Sequence, residues 1–208
     1  MLVQWCLKGV PWSHAFDDAA AWDAATTIGL TSNWVRTPGN ASAALQHAWP
    51  AAHAALSDAA LAAHVNAYAS VASRTPYLSL SAGVVERDPV SRLPIHHPAW
   101  TTALDFATRG GRGDGYVFEC WVQLPGNPAP ELPGFGEEVR DLNLHQGFAW
   151  WHHEGEIAAK LVVPPRQIRC VLKFDATQQP LPLSKGPASG VNPDFVPPER
   201  ISNIRSLV

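Results

Sequence analysis

The sequence predicts an α+β protein, and three observations support that class. Runs with strand-like alternation occur near both ends of the chain, an alanine-rich stretch with helical spacing follows the first of them, and turns rich in Gly and Pro separate the segments. Strands and helices in this irregular order are typical of α+β folds. The length of 208 residues and the hydrophobic content of 46% are expected for a single domain over residues 1–208.

The first predicted strand lies at the N-terminus, where two sets of residues alternate and the segment 9–11 ends the strand. These sets are Val3, Trp5 and Leu7 against Gln4, Cys6 and Lys8. A helix is expected near residues 16–28, ending at Gly29, and two more helices follow. The later one begins at Ser57, a favourable N-cap, and its apolar stripe is Leu61, Val65 and Tyr68.

The middle of the chain predicts two strands and a helix. The strand 77–81 carries Tyr77, Ser79 and Ser81 on one face. The helix 99–108 ends in a glycine-rich run at 110–115, which lacks the spacing of a phosphate-binding loop and is interpreted as a helix stop and turn. The strand 116–124 is the most convincing one. One of its faces carries Tyr116, Phe118, Cys120, Val122 and Leu124, and the other carries Val117, Glu119, Trp121 and Gln123.

The last third begins with a long irregular segment, 125–153, of a length that is often functional. Strands are expected over 157–163 and 167–174, separated by Pro164-Pro165, and the Pro-rich tail 175–208 shows little periodicity.

Composition excludes several function classes. The formal charge of −3 excludes a non-specific nucleic-acid coat protein. The three cysteines are far apart and are expected to be buried and reduced, and the adjacent histidine pairs lack the spacing of a metal site, so no metal is expected. No run approaches the roughly 20 apolar residues of a membrane span, and no signal peptide is visible. We therefore expect a protein that is cytoplasmic or is secreted without a signal peptide, and that acts in a cytosol.

The sharpest candidate for chemistry is Glu154-Gly155-Glu156. At the start of a strand, two carboxylates two positions apart project from the same face. Such a pair also occurs at ordinary solvated strand edges. The aromatic loop before it and the serine strand earlier in the chain favour a shared pocket.

In this order and spacing, the motifs resemble those of a known family. The strand 77–81 resembles the S-T-S motif of the R-S-E class of mono-ADP-ribosyltransferases, and Glu154-Gly155-Glu156 resembles their E-x-E motif. His64-Val65 resembles the family's helix element before the serine strand. The segment 103–122 resembles its helix, glycine turn and strand, and the segment 154–170 resembles its carboxylate strand and the turn that follows. The resemblance covers residues 60–175 and implies a split β-sheet core with N-terminal helices.

The resemblance also implies the reaction. NAD would be the substrate, nicotinamide would be released, and ADP-ribose would pass to a macromolecular acceptor. Glu156 would bind the ribose on the nicotinamide side and stabilise the positive charge of an oxocarbenium-like transition state. Glu154 would position or deprotonate the acceptor, which for this class is most often a protein arginine.

Other residues would take supporting roles. Ser79 would bind near the ribose and orient the carboxylates, and Ser81 would support the strand. Trp150 and Trp151 lie on the loop that meets the acceptor in this family and could stack on a guanidinium or a base, although they could also pack inward.

One position departs from the family pattern. The first strand of the family carries an arginine for the NAD phosphates, whereas Lys8-Gly9 stands here. Lysine supplies the charge but not the two-pronged geometry of arginine. NAD binding could be completed by another group such as Arg36, activity could be weak, or Lys8 could be a solvent-facing strand residue.

Two alternatives stay open. The first is a related enzyme that hydrolyses NAD or modifies a nucleic-acid base. The second is a catalytically silent module of the same fold that binds a partner or a nucleotide. Proteins of this family are often toxins or effectors, so an inhibitor or immunity partner is a further expectation, and a membrane partner is not expected.

Overall fold

The computed structural model describes residues 2–37, 40, 55–82, 98–124, 136–138 and 156–200. The strands in these ranges are β1 Leu2–Pro11, β2 Leu30–Thr31, β3 Tyr77–Ala82, β4 Gly115–Leu124, β5 Gly136–Glu138, β6 Glu156–Lys160, β7 Val162–Val163, β8 Ile168–Phe174 and β9 Pro180–Leu181. The helices are α1 Asp18–Asp23, continued by a π-helical turn Ala24–Ile28, α2 Asn33–Arg36, α3 Asp58–Asn66, α4 Tyr68–Val71 and α5 Pro98–Thr108. Short 3₁₀ turns lie at Pro165–Gln167 and Pro198–Arg200.

The strands form an antiparallel sheet of seven strands in the order β5-β6-β3-β1-β4-β8-β9, and β2 pairs with β7 in a second, small sheet. In the described part of the chain, helices and strands are therefore combined without a parallel βαβ pattern, and the predicted α+β class is confirmed. Strand β1 occupies the middle of the large sheet.

Both neighbours of β1 are antiparallel to it. Its ladder with β4 contains ten register pairs, from Leu2↔Leu124 to Pro11↔Gly115. Its ladder with β3 contains, within the described residues, the pairs Cys6↔Ala82 and Leu7↔Ser81. The part of β1 that follows Leu7 thus extends beyond its ladder with β3.

Helix α5 packs closely on one face of β1 and β4. A Cβ atom on Gly9 would lie 2.0 Å from the carbonyl oxygen of Ala103, and one on Gly115 would lie 1.9 Å from that of Ala107. Only glycine leaves room for such an approach. The helix stops at Thr108 and the chain then turns through Arg109 and two glycines at positive φ, which confirms the predicted stop and turn.

The opposite face of the sheet carries most of the apolar core, including Tyr116, Phe118 and Ile157. Cys6 and Cys120 are part of this core, and they lie directly opposite each other in register. Cys6, Cys120 and Cys170 are buried and form no disulfide, as predicted. Burial raises the pKa of the Cys6 thiol and raises that of Cys120 to about 12.

The structure corrects the predicted stripe of the helix that begins at Ser57. The Ser57 hydroxyl accepts a hydrogen bond from Ala60 N at 3.2 Å, as expected for an N-cap. The buried residue of α3 is His64, however, whereas Tyr68 is exposed and lies in the separate helix α4. The helix breaks at Ala67 because the backbone there leaves helical geometry, and this break removes Tyr68 from the stripe.

Individual hydrogen bonds hold the described part of the tail in place. The buried Asn192 amide nitrogen lies 2.8 Å from the carbonyl oxygens of Ala25 and Pro165 and 3.0 Å from that of Ile168. The Val171 N–H donates to Gly190 O at 2.9 Å. The tail thereby links the π-helical turn to the start of β8.

Candidate functional site

A polar cluster lies where β1, β3 and β6 run side by side; we call its members Lys8, His64, Ser79, Ser81 and Glu156 the site cluster. Ser81 stands opposite Leu7 on β1 and opposite Glu156 on β6. Ser79 is two residues from Ser81 and projects from the same face of the sheet. Strand register thus brings the predicted Ser79, Ser81 and Glu156 together from positions far apart in the chain.

His64 reaches the cluster from helix α3. Its Nε2 lies 3.0 Å from the Ser79 hydroxyl oxygen and 3.9 Å from Glu156 Oε1. Its Nδ1 lies 2.8 Å from the hydroxyl oxygen of the buried Thr75. One imidazole therefore connects the serine, the carboxylate and the loop before β3.

Lys8 enters the cluster from the part of β1 beyond its ladder with β3. Its Nζ donates a hydrogen bond of 2.9 Å to the backbone carbonyl of Ser79. Burial and the nearby charge of Arg36 lower the pKa of Lys8 to about 8, while Glu156 acts in the opposite direction. Lys8 is therefore half-buried and mostly protonated at neutral pH, and its amine is directed to the backbone of β3.

Arg36 supplies a second positive charge. It ends helix α2, and its Nε donates to the Thr31 hydroxyl at 3.0 Å. The effect of its charge on Lys8 places it within electrostatic range of the cluster. The site thus combines two cations with one carboxylate.

The side chains of the site cluster differ in their exposure to solvent. The His64 side chain is 1% exposed, whereas that of Glu156 is 18% exposed. Burial lowers the pKa of His64 below its ordinary value, Glu156 partly opposes this effect, and Lys8 adds to it. His64 is therefore neutral at neutral pH, and Glu156 is open to a ligand.

Three predicted site residues cannot be placed. Glu154, Trp150 and Trp151 lie outside the described residues. Gly9 is described, and its close contact with the backbone of α5 gives it a packing role.

His64 and Thr75 are not among the site residues that the sequence predicts. His64 was noted only as part of a helix element, and Thr75 carries no motif. A histidine in an alanine-rich helix shortly before the serine strand is the signal that could have drawn attention to His64.

A second polar cluster, around Asp18, serves packing. Asp18 accepts bonds from the Tyr116 hydroxyl at 2.7 Å and from Ser184 N at 2.8 Å, and it pairs with Lys173 at 2.9 Å. Burial alone would raise the pKa of Asp18, but these bonds outweigh it and hold that pKa well below its usual range. Each group that bonds Asp18 belongs to a different segment, so these bonds connect β4, β8 and the tail to α1.

Among the described ranges, no group of three or more His, Cys, Asp or Glu side chains is arranged to hold a metal ion. In the same ranges, no helix combines the length and hydrophobicity required to cross a membrane.

Comparison with known proteins found no matching family model and no significantly similar curated protein. The chemistry of the site cluster is therefore the main support for a function.

Proposed function

We propose that this chain is a mono-ADP-ribosyltransferase that uses NAD, releases nicotinamide and transfers ADP-ribose to a macromolecule. The observation that carries the proposal is the position of Glu156. It lies opposite Ser81 in register and 3.9 Å from the His64 nitrogen that contacts the Ser79 hydroxyl. A carboxylate, a serine hydroxyl and a lysine thus lie close together where β1 and β3 part after Leu7. This arrangement is compatible with the split sheet implied by the family resemblance.

The carboxylate suits the charge that develops in the reaction. The bond between ribose C1′ and the pyridinium nitrogen breaks, its electron pair leaves with nicotinamide, and positive charge spreads over C1′ and the ring oxygen. The partly enclosed Glu156 would stabilise that charge and accept a hydrogen bond from the ribose hydroxyl. Ser79 would donate to the same ribose.

The two cations suit the diphosphate of NAD. Lys8 stands at the position of the family arginine, and Arg36 lies within electrostatic range of it. Arg36 could supply the planar, two-pronged donor geometry that Lys8 lacks. We therefore assign the phosphates to Lys8 and Arg36 together.

The acceptor is assigned by resemblance alone. A glutamate at the first position of the E-x-E motif favours a protein arginine, which would lose a proton to Glu154 as its nitrogen forms the new bond to C1′. Trp150 and Trp151 would contact this acceptor.

Nicotinamide release from NAD, together with label transfer from adenylate-labelled NAD to proteins of a cell lysate, tests the proposal. Glu156→Gln is expected to lower the rate of nicotinamide release by about a hundredfold or more, because it removes the anion that faces the developing cation. Glu199→Gln is the matched control, since this carboxylate lies exposed in the C-terminal tail. Wild-type protein that neither transfers label nor releases nicotinamide would contradict the proposal, as would a fully active Glu156→Gln variant.

The fate of the label separates the related activities. Free ADP-ribose would indicate NAD hydrolysis, and labelled nucleic acid would indicate a base acceptor. One observation favours a catalytically silent module, namely that Lys8 replaces the arginine and already donates to Ser79 O. Saturable NAD binding without nicotinamide release would establish that function.

A further inference from the structure

An exposed tryptophan lies directly after β1, outside the site cluster. The Trp12 side chain is 37% exposed, and its backbone N–H donates to Asp114 O at 3.0 Å. The His14 ring contacts the indole edge-on, with ring centroids 5.1 Å apart. Backbone pairing and this ring contact therefore hold a large aromatic side chain at the surface.

Two exposed arginines lie beside this ring, on the turn that follows α5. Arg109 Nη2 donates to Trp12 O at 3.3 Å, and Arg112 Nε donates to Arg109 O at 2.8 Å. The turn is fixed to the end of α5, because the Thr108 carbonyl oxygen accepts from Arg112 N at 2.8 Å. We call this group of side chains the Trp12 surface: Trp12, His14, Arg109 and Arg112.

Both guanidinium groups are available to an anion. Within the described ranges neither arginine pairs with a carboxylate, and each uses one of its five N–H groups in the bonds given above.

The nearby carboxylates have other roles. Asp17 caps α1, Asp105 accepts from Gln178 Nε2 at 2.8 Å, and the charge of the half-buried Asp114 acts on the buried Tyr116. The net charge of −3 belongs to the whole chain and does not prevent a local excess of positive charge at this surface.

A cavity of about 260 Å³ opens beside Trp12. Its wall also includes Ser184 and Lys173, whose ammonium nitrogen lies 2.9 Å from Asp18 Oδ1. The volume is slightly below the roughly 300–1,000 Å³ of typical small-molecule sites. The cavity therefore suits one base or sugar better than a complete dinucleotide.

We propose that the Trp12 surface binds single-stranded nucleic acid, with one base stacked on Trp12 at the cavity and neighbouring phosphates at Arg109 and Arg112. An indole ring can stack on any base, and a guanidinium group matches the geometry of phosphate oxygens. An acidic peptide would satisfy the arginines but would offer no flat ring to the indole.

This binding does not depend on the proposed function. Trp12 follows Lys8 by four residues, which is about 13 Å along an extended chain. The Trp12 surface and the site cluster can therefore be tested separately.

Fluorescence anisotropy of a short labelled strand, measured with the full chain and without NAD, tests the role of Trp12. Trp12→Leu is expected to weaken binding about tenfold to a hundredfold, because the stacking of one base is lost. Trp12→Phe keeps an aromatic ring and should recover part of the affinity. A Trp12→Leu variant with wild-type affinity would overturn the proposal.

The salt dependence of the same binding tests the arginines. The double variant Arg109→Gln and Arg112→Gln should weaken binding and reduce the slope of log Kd against log salt by about 1.4, that is about 0.7 for each lost phosphate contact. Arg74→Gln is the matched control, since it removes an exposed arginine in the turn before β3, and it should leave the slope unchanged. A double variant with the wild-type slope would overturn the phosphate assignment.

A second measurement uses the wild-type chain, which is useful because a substitution of Trp12 can disturb the end of β1. Ultraviolet crosslinking of a strand that contains 5-iodouracil, followed by mass spectrometry, should label Trp12 or His14. Labelling confined to other segments would overturn the proposal.

Competition identifies the class of ligand. An unlabelled strand should displace the labelled one, whereas a mononucleotide should compete poorly because it offers a single phosphate. Equal competition by a mononucleotide or by a polyglutamate peptide would overturn the assignment to a nucleic-acid strand. If no strand binds, this inference is wrong, while nicotinamide release still decides the proposed function.

Discussion

At the scale of single residues, Lys8 makes the charge of the site dependent on pH. Burial and Arg36 lower its pKa to about 8, whereas an arginine at the same position would stay charged in neutral and mildly alkaline solution. Lys8 is protonated below its pKa and neutral above it. Recognition of an anionic ligand by this residue should weaken in mildly alkaline solution.

We expect the KM for NAD, measured by nicotinamide release, to rise as the pH increases above about 8. Lys8→Met should raise KM about tenfold or more near neutral pH, because a charge-assisted hydrogen bond is lost. Lys8→Arg should remove the alkaline rise. The control is Lys185→Met, which changes an exposed lysine of the tail. A KM that stays constant from neutral to alkaline pH would exclude Lys8 from phosphate binding.

At the scale of secondary structure elements, the contact of α5 with β1 and β4 sets the position of the strand that carries Lys8. The helix approaches so closely that Gly9 meets the backbone of Ala103, and backbone atoms cannot move aside as a flexible side chain can. The glycine beside Lys8 therefore has a structural reason that does not involve a ligand.

Gly9→Ala is expected to lower the free energy of unfolding by about 1–3 kcal/mol, because its methyl group overlaps the Ala103 carbonyl. Urea denaturation followed by circular dichroism measures this change. Gly113→Ala is the matched control, since no atom lies within 4 Å of a Cβ there. Equal stability of the two variants would show that α5 can shift away from β1 without cost.

Elements with strong local patterns could be predicted from the sequence. Strand β4 and helix α5 follow the expected segments 116–124 and 99–108 within a residue or so. The face of α3 that packs inward could be predicted in part, because Leu61 of the expected stripe packs against the core while Tyr68 is exposed. The most buried residue of this helix is His64, which apolar spacing does not select and which contacts Ser79 on another element.

At the scale of the whole molecule, the tail joins parts of the chain that the large sheet does not connect. Asn192 contacts carbonyl groups of the π-helical turn, of the 3₁₀ turn at Pro165–Gln167 and of β8. Such links are side-chain to backbone bonds, which leave no periodic signal in the sequence. This is why residues 175–208 offered no secondary-structure prediction beyond a Pro-rich tail.

Asn192→Ala should lower the free energy of unfolding by about 1–3 kcal/mol, since it leaves buried carbonyl groups without a donor. Asp194→Ala, which truncates an exposed side chain two residues later, should change it little. Thermal unfolding of both variants provides the comparison. An Asn192→Ala variant as stable as Asp194→Ala would mean that water or a rearranged tail satisfies those carbonyls.

The site could be predicted in part, and the division has a physical cause. Ser79, Ser81 and Glu156 lie on strands, where a period of two fixes the face of each residue, and register then places Ser81 opposite Glu156. His64, Thr75 and Arg36 reach the site from a helix, a loop and a short helix, and their convergence depends on packing between distant segments. Sequence spacing carries no information on such packing.

The split between β1 and β3 has a consequence for how the sheet can open locally. After Leu7, β1 stays paired with β4 as far as Pro11, whereas in the described part of the chain it has no further register pair with β3. Local opening follows the path that breaks the fewest interactions, so the two strands should separate at this end at a lower free-energy cost than β1 and β4. The Lys8 amine, which bonds Ser79 O across this gap, would be the first group that such an opening exposes.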